Sequence, residues 1–459
     1  MATHYDAIII GTGQAGPPLA DRMNREGLKV AVIERELIGG TCVNVGCTPT
    51  KALVASARAA HMARRAAEFG IILEGQARVD MKRVNARMRE ISGQSNKGVT
   101  QWIESMENVR LYRGHARFES PNTVRVNEDE LQAEKIFLNV GTRARIPDMP
   151  GVGEVDFLTS SGLLALDSLP AHLIVIGGSY VGLEFAQIFR RFGCEVTVVE
   201  MGSRLIRRED PEVSDAIRQI FERDGIQVRL AAECVRLEER GDGVAINVSC
   251  EDGAPEVTGS HILLAVGRVP NTDDLGLDKA GIAIGRRGFI PVDDQLRTEV
   301  AGIWALGDCN GRGAFTHTSY NDFEIVAANL FDDDPRRISD RIPAYGLFID
   351  PPLGRIGMTE KEARESGRPV LVGKRLMKHV SRARERSETD GFIKILVDAE
   401  TNEILGAAIL GIGGDEVVHV LLAAMYAGAP YTVISREVPI HPTVAELLPT
   451  VLQSLQPLE

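Results

Sequence analysis

The chain has 459 residues, with 52 Lys and Arg against 64 Asp and Glu for a formal net charge of −12. That length is too great for one hydrophobic core and implies two to four domains. The acidic balance argues against the basic patch that nucleic-acid or anionic-membrane binding needs, so neither partner is expected.

The first predicted element is the apolar run Tyr5-Asp-Ala-Ile-Ile-Ile, suited to a buried parallel strand. It starts within about five residues of the N-terminus, leaving no room for a signal or transit peptide. No uninterrupted apolar run reaches membrane-spanning length, and a cytoplasmic protein is expected. Gly11-Thr-Gly13-Gln-Ala-Gly16 follows, then a helical stretch, then the strand Val30-Ala-Val-Ile ending at Glu34. This is a dinucleotide fingerprint in context. The first glycine permits the turn, the second lets a pyrophosphate approach the backbone, the third packs helix on strand, and the acid takes ribose hydroxyls.

Residues 39–51 read Gly-Gly-Thr41-Cys42-Val-Asn-Val-Gly-Cys47-Thr-Pro49-Thr-Lys51. Cys42 and Cys47 can join through a small loop, and Pro49 marks the first turn of a helix running on through Lys51. A cysteine at a helix N-terminus feels the positive end of the helix dipole, which favours thiolate. The segment reads as a redox dithiol; the competing reading is two unrelated buried cysteines. Cys194, Cys234, Cys250 and Cys309 are expected to be reduced and structural, since six unevenly placed cysteines do not form a secreted disulfide framework.

Residues from about 54 to 107 read as helical and those from about 108 to 140 as short strands, punctuated by Pro147-Asp-Met-Pro150. A second fingerprint runs Leu173-Ile-Val-Ile-Gly177-Gly-Ser179-Tyr180-Val-Gly182, then a helix, then the strand Glu195–Val199 and Glu200. Ser179 stands at the middle-glycine position. Glu200 favours NADH over NADPH, and Arg204, Arg207 and Arg208 nearby could reverse that choice or lie in a solvated loop. This second fold closes at Ile262-Leu-Leu-Ala-Val-Gly267. The chain then returns to the first fold through Gly302-Ile-Trp-Ala-Leu-Gly307-Asp308, a strand end that places Asp308 at a ligand. From about 342 onward, strands such as Gly391–Val397 precede a helix beginning near Asp415. Two dinucleotide sites around a dithiol imply electron flow from nicotinamide to flavin to disulfide, because a flavin is the usual relay between a hydride donor and a thiol pair.

With these motifs in order, the chain resembles the FAD-dependent pyridine nucleotide–disulfide oxidoreductases over essentially its whole length. The family includes glutathione reductase, dihydrolipoamide dehydrogenase and mercuric reductase. The resemblance implies an α/β fold with two Rossmann-like dinucleotide-binding domains plus an α+β C-terminal dimerisation domain. The FAD domain would span 1–150 and 272–341, the NAD(P) domain 151–271, and the interface domain 342–459. It also implies FAD and NAD(P)H as cofactors. Cys42 would be the interchange thiol and Cys47 the thiolate against the flavin. Lys51 would sit near the flavin's reactive edge, paired with Glu184, and Tyr180 would cover the nicotinamide pocket. Thr41, Asp308, Gly114, Ala116, Gly141, Thr316 and His317 would line the FAD site, and Gly267 the nicotinamide dinucleotide. His441-Pro-Thr-Val-Ala-Glu446 matches the family's acid–base dyad, which acts from the partner subunit and so implies a homodimer.

The electron acceptor is less determined. Pro49-Thr50-Lys51 and Pro439 depart from the usual dihydrolipoamide dehydrogenase wording, and residues 452–459 lack the vicinal cysteines of mercuric reductases. Asp350-Pro-Pro-Leu-Gly-Arg-Ile-Gly-Met-Thr-Glu, with Ser381-Arg-Ala-Arg384 downstream, is similar to the mercuric-reductase-like subgroup that includes a reactive-chlorine-resistance flavoprotein regarded as a copper(II) reductase. Thiolates bind soft metals and pass electrons to them, yet the nine histidines show no metal-ligand spacing. Three readings result: a reductase of a metal ion or small disulfide, a dihydrolipoamide dehydrogenase running toward NAD, and a redox-sensing binding protein.

Overall fold

The structure is a computed structural model that describes residues 2–241, 243–249 and 254–458. Cys250 lies outside these residues, and the side chain of Cys234 is likewise not described. The chain begins with β1 (Ala7–Ile10), α1 (Gly16–Arg25), β2 (Val30–Glu34), α2 (Cys47–Arg64), α3 (Met81–Glu104), β3 (Val109–Arg113) and β4 (Lys135–Leu138). It continues with β5 (His172–Ile176), α4 (Tyr180–Phe192), β6 (Glu195–Val199), β7 (Gln227–Arg229) and β8 (His261–Leu264). Then come β9 (Ile303–Ala305) and α5 (Thr316–Phe331).

Two parallel sheets result. The first has the order β9-β4-β1-β2-β3 and the second β7-β6-β5-β8. β1 is buried on both faces, which is why it reads as an unbroken apolar run rather than an alternating one. Truncating Ile8 or Ile9, both fully buried, belongs to the class of core changes that costs about 2–5 kcal/mol. The return of the chain to the first sheet at β9, after the whole second sheet, makes the first unit discontinuous in sequence.

The expected helical stretch 54–107 is interrupted. α2 ends at Arg64, a single 3₁₀ turn covers Ala66–Phe69, and the backbone is irregular until α3 starts at Met81. Gly70 and Gly75 both adopt positive φ there (+74° and +81°), which a helix interior does not accommodate. The Asp80 side chain then caps α3 by accepting the Arg83 N–H.

The C-terminal portion is one antiparallel sheet of β10 (Ala344–Leu347), β11 (Leu353–Gly357), β12 (Val370–Leu376), β13 (Phe392–Asp398), β14 (Ile404–Leu410) and β15 (Gln456–Pro457). Its order is β10-β11-β14-β13-β12-β15, and α6 (Gly414–Tyr426) packs on β11 and β14. Among the described residues no helix is long and apolar enough to cross a membrane.

A buried ion network joins this sheet to the second parallel-sheet unit. Arg355 on β11 donates to Glu209 and Asp210 at 2.8 Å each, and Lys394 on β13 pairs with Asp210 at 2.8 Å. The side chains of Arg355, Glu209, Asp210 and Lys394 are all 2% exposed or less. Burial pushes the Asp210 carboxyl up, but Arg355 and Lys394 more than offset it and hold the group below its ordinary value. That contribution to stability is therefore full at neutral pH and is lost as pH falls through the lowered value. Arg355→Ala leaves two carboxylates buried without their main partner and should cost about 3–5 kcal/mol, read as a drop in thermal unfolding midpoint. An unchanged midpoint would show that the network carries no weight.

Candidate active site

The first glycine loop is built by close approach. Gly11 has φ +104°, and a Cβ at Gly16 would lie 2.3 Å from the Gly11 carbonyl oxygen, so the start of α1 can seat on the β1 turn only without a side chain. Glu34 at the end of β2 accepts from Thr12 through its N–H at 2.9 Å and its hydroxyl at 2.6 Å. A Cβ on Gly40 would come within 2.8 Å of the Gly13 Cα, so the cysteine segment lies directly against the glycine loop. Gly114 donates its N–H to the Glu34 carbonyl at 2.9 Å, Ala116 is buried two residues on, and Gly141 turns with φ +63° into open space. Asp308 sits in the turn just after β9, accepts from the Thr142 hydroxyl at 2.9 Å, and has its carboxyl raised by burial. A glycine loop closed by backbone approach, with Glu34 at the end of β2 and Asp308 in the turn after β9, fits FAD.

The dithiol lies at the edge of this cradle. Cys42 falls in the short helix Gly40–Asn44, beside the exposed Thr41, and Cys47 is the first residue of α2 with Pro49 in its first turn. Both are free thiols. Cys47 Sγ is 3.1 Å from Thr316 Oγ1 at the N-terminus of α5, so two helix N-termini converge on one sulfur. The hydrogen bond with Cys42 is the main cause that lowers the Cys47 thiol to about 6, with Thr316 and Lys51 acting in the same direction against burial. The same hydrogen bond raises Cys42 strongly. The pair shares one proton, so the low value belongs to the dithiol as a unit.

Lys51 Nζ pairs with Glu184 Oε2 at 2.7 Å and lies 4.6 Å from the centre of the Phe348 ring, and the other Glu184 oxygen accepts the Phe348 N–H at 3.0 Å. The ultraviolet thiolate absorbance of the reduced protein should therefore titrate near pH 6 rather than near the ordinary value of about 8.5. Lys51→Met should move that midpoint upward. A wild-type midpoint at the ordinary value would refute the proposed electrostatics.

The second glycine loop repeats the first. A Cβ at Gly182 would lie 2.1 Å from the Gly177 carbonyl oxygen, while Ser179 is exposed and extended (φ −118°), where a side chain is harmless. Glu200 accepts the N–H groups of Gly178 and Gly202, each at 2.7 Å. Arg207 runs past Gly202 beside the Glu200 carboxylate. Gly267 turns with φ +110°, and a Cβ there would enter open space. Tyr180 opens α4, and among the described residues its buried hydroxyl has no hydrogen-bond partner. Burial pushes this phenol up, with Arg208 acting the other way. Its ring meets Phe315 and Tyr345 edge-on at 5.7 and 5.6 Å.

His441 is 74% exposed, with its Nδ1 2.8 Å from Glu446 Oε2. A carboxylate can only accept, so Nδ1 carries the proton and Nε2 is left to take one. Arg382 donates from Nε to the Pro442 carbonyl at 3.1 Å and so ties down the loop beside His441. His317 donates to the Ala344 carbonyl at 2.7 Å and stacks on Phe315 at 5.4 Å, facing β10.

Sequence reasoning missed Phe315, Tyr345 and the packing of Arg208. Phe315 adjoins Thr316 and could have been included with it; Tyr345 carries no local signal. Cys194 and Cys309 are buried free thiols, both raised by burial. No group of three or more His, Cys, Asp and Glu able to hold a metal occurs among the described residues.

Comparison with known proteins agrees with this geometry. Residues 5–322 match the pyridine nucleotide-disulphide oxidoreductase family, and residues 343–452 match its dimerisation domain. The chain is 35% identical to the probable pyridine nucleotide-disulfide oxidoreductase RclA of Escherichia coli, covering 97% of this chain and 98% of that protein. It is 33% identical to a dihydrolipoyl dehydrogenase of Thermus scotoductus (98% and 97% covered) and 32% identical to a mercuric reductase of Streptomyces lividans (98% and 96%). A solved Cu(II) complex of the HOCl-induced flavoprotein disulfide reductase RclA from Escherichia coli superposes with a TM-score of 0.90 at 34% identity, covering 98% of this chain and 99% of that one. With two glycine cradles, a dithiol at a helix N-terminus and a matched dimerisation domain, the chain belongs to the pyridine nucleotide-disulphide oxidoreductases, enzymes that use FAD and NAD(P)H.

Proposed function

We propose that this protein is an NAD(P)H-dependent reductase that passes electrons through Cys42 and Cys47 to a metal ion or a small disulfide. The observation that carries the reading is the dithiol geometry: Cys47 Sγ, at the N-terminus of α2, lies 3.1 Å from Thr316 Oγ1, and its hydrogen bond with Cys42 lowers Cys47 and raises Cys42. The first glycine loop with Glu34, Thr41, Gly114, Ala116, Gly141, Asp308, Thr316 and His317 would hold FAD. The second loop with Tyr180, Glu200 and Gly267 would hold the nicotinamide dinucleotide, and Glu200 favours NADH. FAD supplies the relay between a two-electron hydride donor and a disulfide.

Cys42 attacks one sulfur of the acceptor, releasing the first thiol, and Cys47 then attacks Cys42 Sγ to release the second and close the protein disulfide. His441, oriented by Glu446, takes the Cys42 proton and returns it to the leaving thiolate. The same dithiol giving up two electrons reduces two Cu(II) to two Cu(I), or Hg(II) to Hg(0). The solved Cu(II) complex of a relative supports a metal acceptor.

FAD-binding residues fall in 1–150 and 272–341, nucleotide-binding ones in 151–271, and the interface in 342–459. The exposed Val438 and Ile440 (97% and 78%) beside His441 support a homodimer in which the dyad serves the partner subunit. The unpaired, unevenly placed cysteines of the described residues support a cytoplasmic location. The second reading, a dihydrolipoyl dehydrogenase, is favoured by the intact His441–Glu446 bond at 2.8 Å and by the relatives of that name.

Steady-state turnover of the FAD-loaded protein separates the two. NADH and NADPH oxidation is followed with Cu(II), Hg(II) or oxidised glutathione, and NAD+ reduction with dihydrolipoamide. Acceptor-driven oxidation with negligible dihydrolipoamide turnover supports the reductase, and fast dihydrolipoamide turnover overturns it.

A further inference from the structure

Arg208 falls within the arginine-rich segment after the second fingerprint, yet it does not stay with Arg207 at the Glu200 end of the loop. Its guanidinium carbon lies 5.1 Å from the centre of the Tyr180 ring, 5.2 Å from that of Tyr345 and 5.9 Å from that of Phe315. Phe315 and Tyr345 are stacked on each other at 5.6 Å, so the cation caps a three-ring box built from three separate segments. No carboxylate of the described residues lies within ion-pair distance of it. The adjacent Glu209 is committed elsewhere, accepting from the Tyr345 hydroxyl and from Arg355 at 2.8 Å. No carboxylate of the described residues therefore pairs directly with Arg208 at the box.

We propose that Arg208 makes the nicotinamide site discriminate by charge, favouring the neutral dihydronicotinamide ring and disfavouring the cationic oxidised ring. The inference rests on the reading that the nicotinamide enters the slot now filled by the Tyr180 ring. An aromatic face attracts a guanidinium, and a neutral dihydropyridine taking the place of Tyr180 leaves that cation without a like charge beside it. A pyridinium in the same slot puts two unit positive charges about 6 Å apart, and the repulsion at an effective dielectric between that of a protein surface and water is worth about tenfold in affinity. Oxidised product then leaves readily, and the enzyme runs from NAD(P)H toward the acceptor, as a reductase requires.

The test is binding to the FAD-loaded oxidised protein of two redox-inert probes, measured by calorimetry. One is NAD+ or NADP+, whichever binds; the other is its neutral tetrahydronicotinamide analogue. Wild type should prefer the neutral analogue. Arg208→Gln should tighten the oxidised dinucleotide about tenfold and move the analogue by less than about threefold, whereas Arg208→Lys should keep the wild-type preference. High salt should shrink the wild-type preference, since Arg208 is exposed. Parallel shifts of both probes in Arg208→Gln, or no shift, overturn the proposal. Tyr180→Ala separates the two levels. If it alters the affinity of neither probe, the slot reading fails and the inference with it. If it alters both while Arg208→Gln moves them in parallel, the slot stands and only the charge discrimination is lost.

Discussion

Cys42→Ser should abolish turnover with disulfide and metal acceptors while leaving the bleaching of bound flavin by NADH intact. The division of labour in the dithiol dictates this split. Cys47 holds the lowered thiol, fixed by Thr316 at 3.1 Å and by the Lys51 charge. Cys42, on the short Gly40–Asn44 helix, keeps the raised thiol of the pair and is the sulfur that the proposed reaction brings to an acceptor. Serine cannot form the mixed disulfide, and its alkoxide is inaccessible at neutral pH, so loss of turnover should be complete rather than partial. Removing Cys42 also removes the hydrogen bond that is the main cause of the low Cys47 value, so the remaining thiol should titrate higher than in wild type. Stopped-flow flavin absorbance and steady-state acceptor assays on one preparation check both halves. Full acceptor activity in the variant would take the dithiol out of the electron path.

His441→Ala should slow dithiol–disulfide exchange by about 10²–10⁴-fold, the range for losing a general acid–base. The need for a base follows from the same asymmetry. The Cys42 thiol is raised, by the Cys47 hydrogen bond first and by burial second, so it does not ionise unaided near neutrality. Glu446 holds the Nδ1 proton, which leaves Nε2 as the acceptor. Glu446→Gln should therefore retain an intermediate rate, because the amide oxygen still orients the ring without stabilising its cation. The deficit in His441→Ala should narrow at high pH, where hydroxide takes over the deprotonation of Cys42. A merely structural role would give a deficit independent of pH, so the rate–pH profile of disulfide reduction decides between them. An unchanged rate at neutral pH would return His441 to a structural role.

Where neighbours in sequence are neighbours in space, the amino-acid sequence alone was sufficient. Gly11, Gly16 and Glu34 belong to one β–turn–α–β unit, and Gly177, Gly182 and Glu200 repeat it, because backbone close approach excludes a Cβ at those spacings. Cys47 and Pro49 mark the start of α2 for the same local reason: a helix N-terminus has free N–H groups and tolerates proline. Even the discontinuity of the first sheet was legible, since the apolar run before Gly307-Asp308 reads as a strand end.

Residues 70–80 were less legible. Their scattered apolar side chains at helical composition did not reveal that Gly70 and Gly75 turn with positive φ.

What tertiary structure decided is the electrostatics of the site. Thr316 reaches Cys47 across 269 residues of sequence, and Tyr345 closes the box over Tyr180 from the antiparallel sheet. The arginines near Glu200 read alike in sequence, but Arg207 lies along the carboxylate and Arg208 over the rings. Glycine geometry is a property of the local chain and so is written in spacing. The charge at a sulfur or over a ring is set by distances between elements that only packing brings together, with no periodicity to announce them.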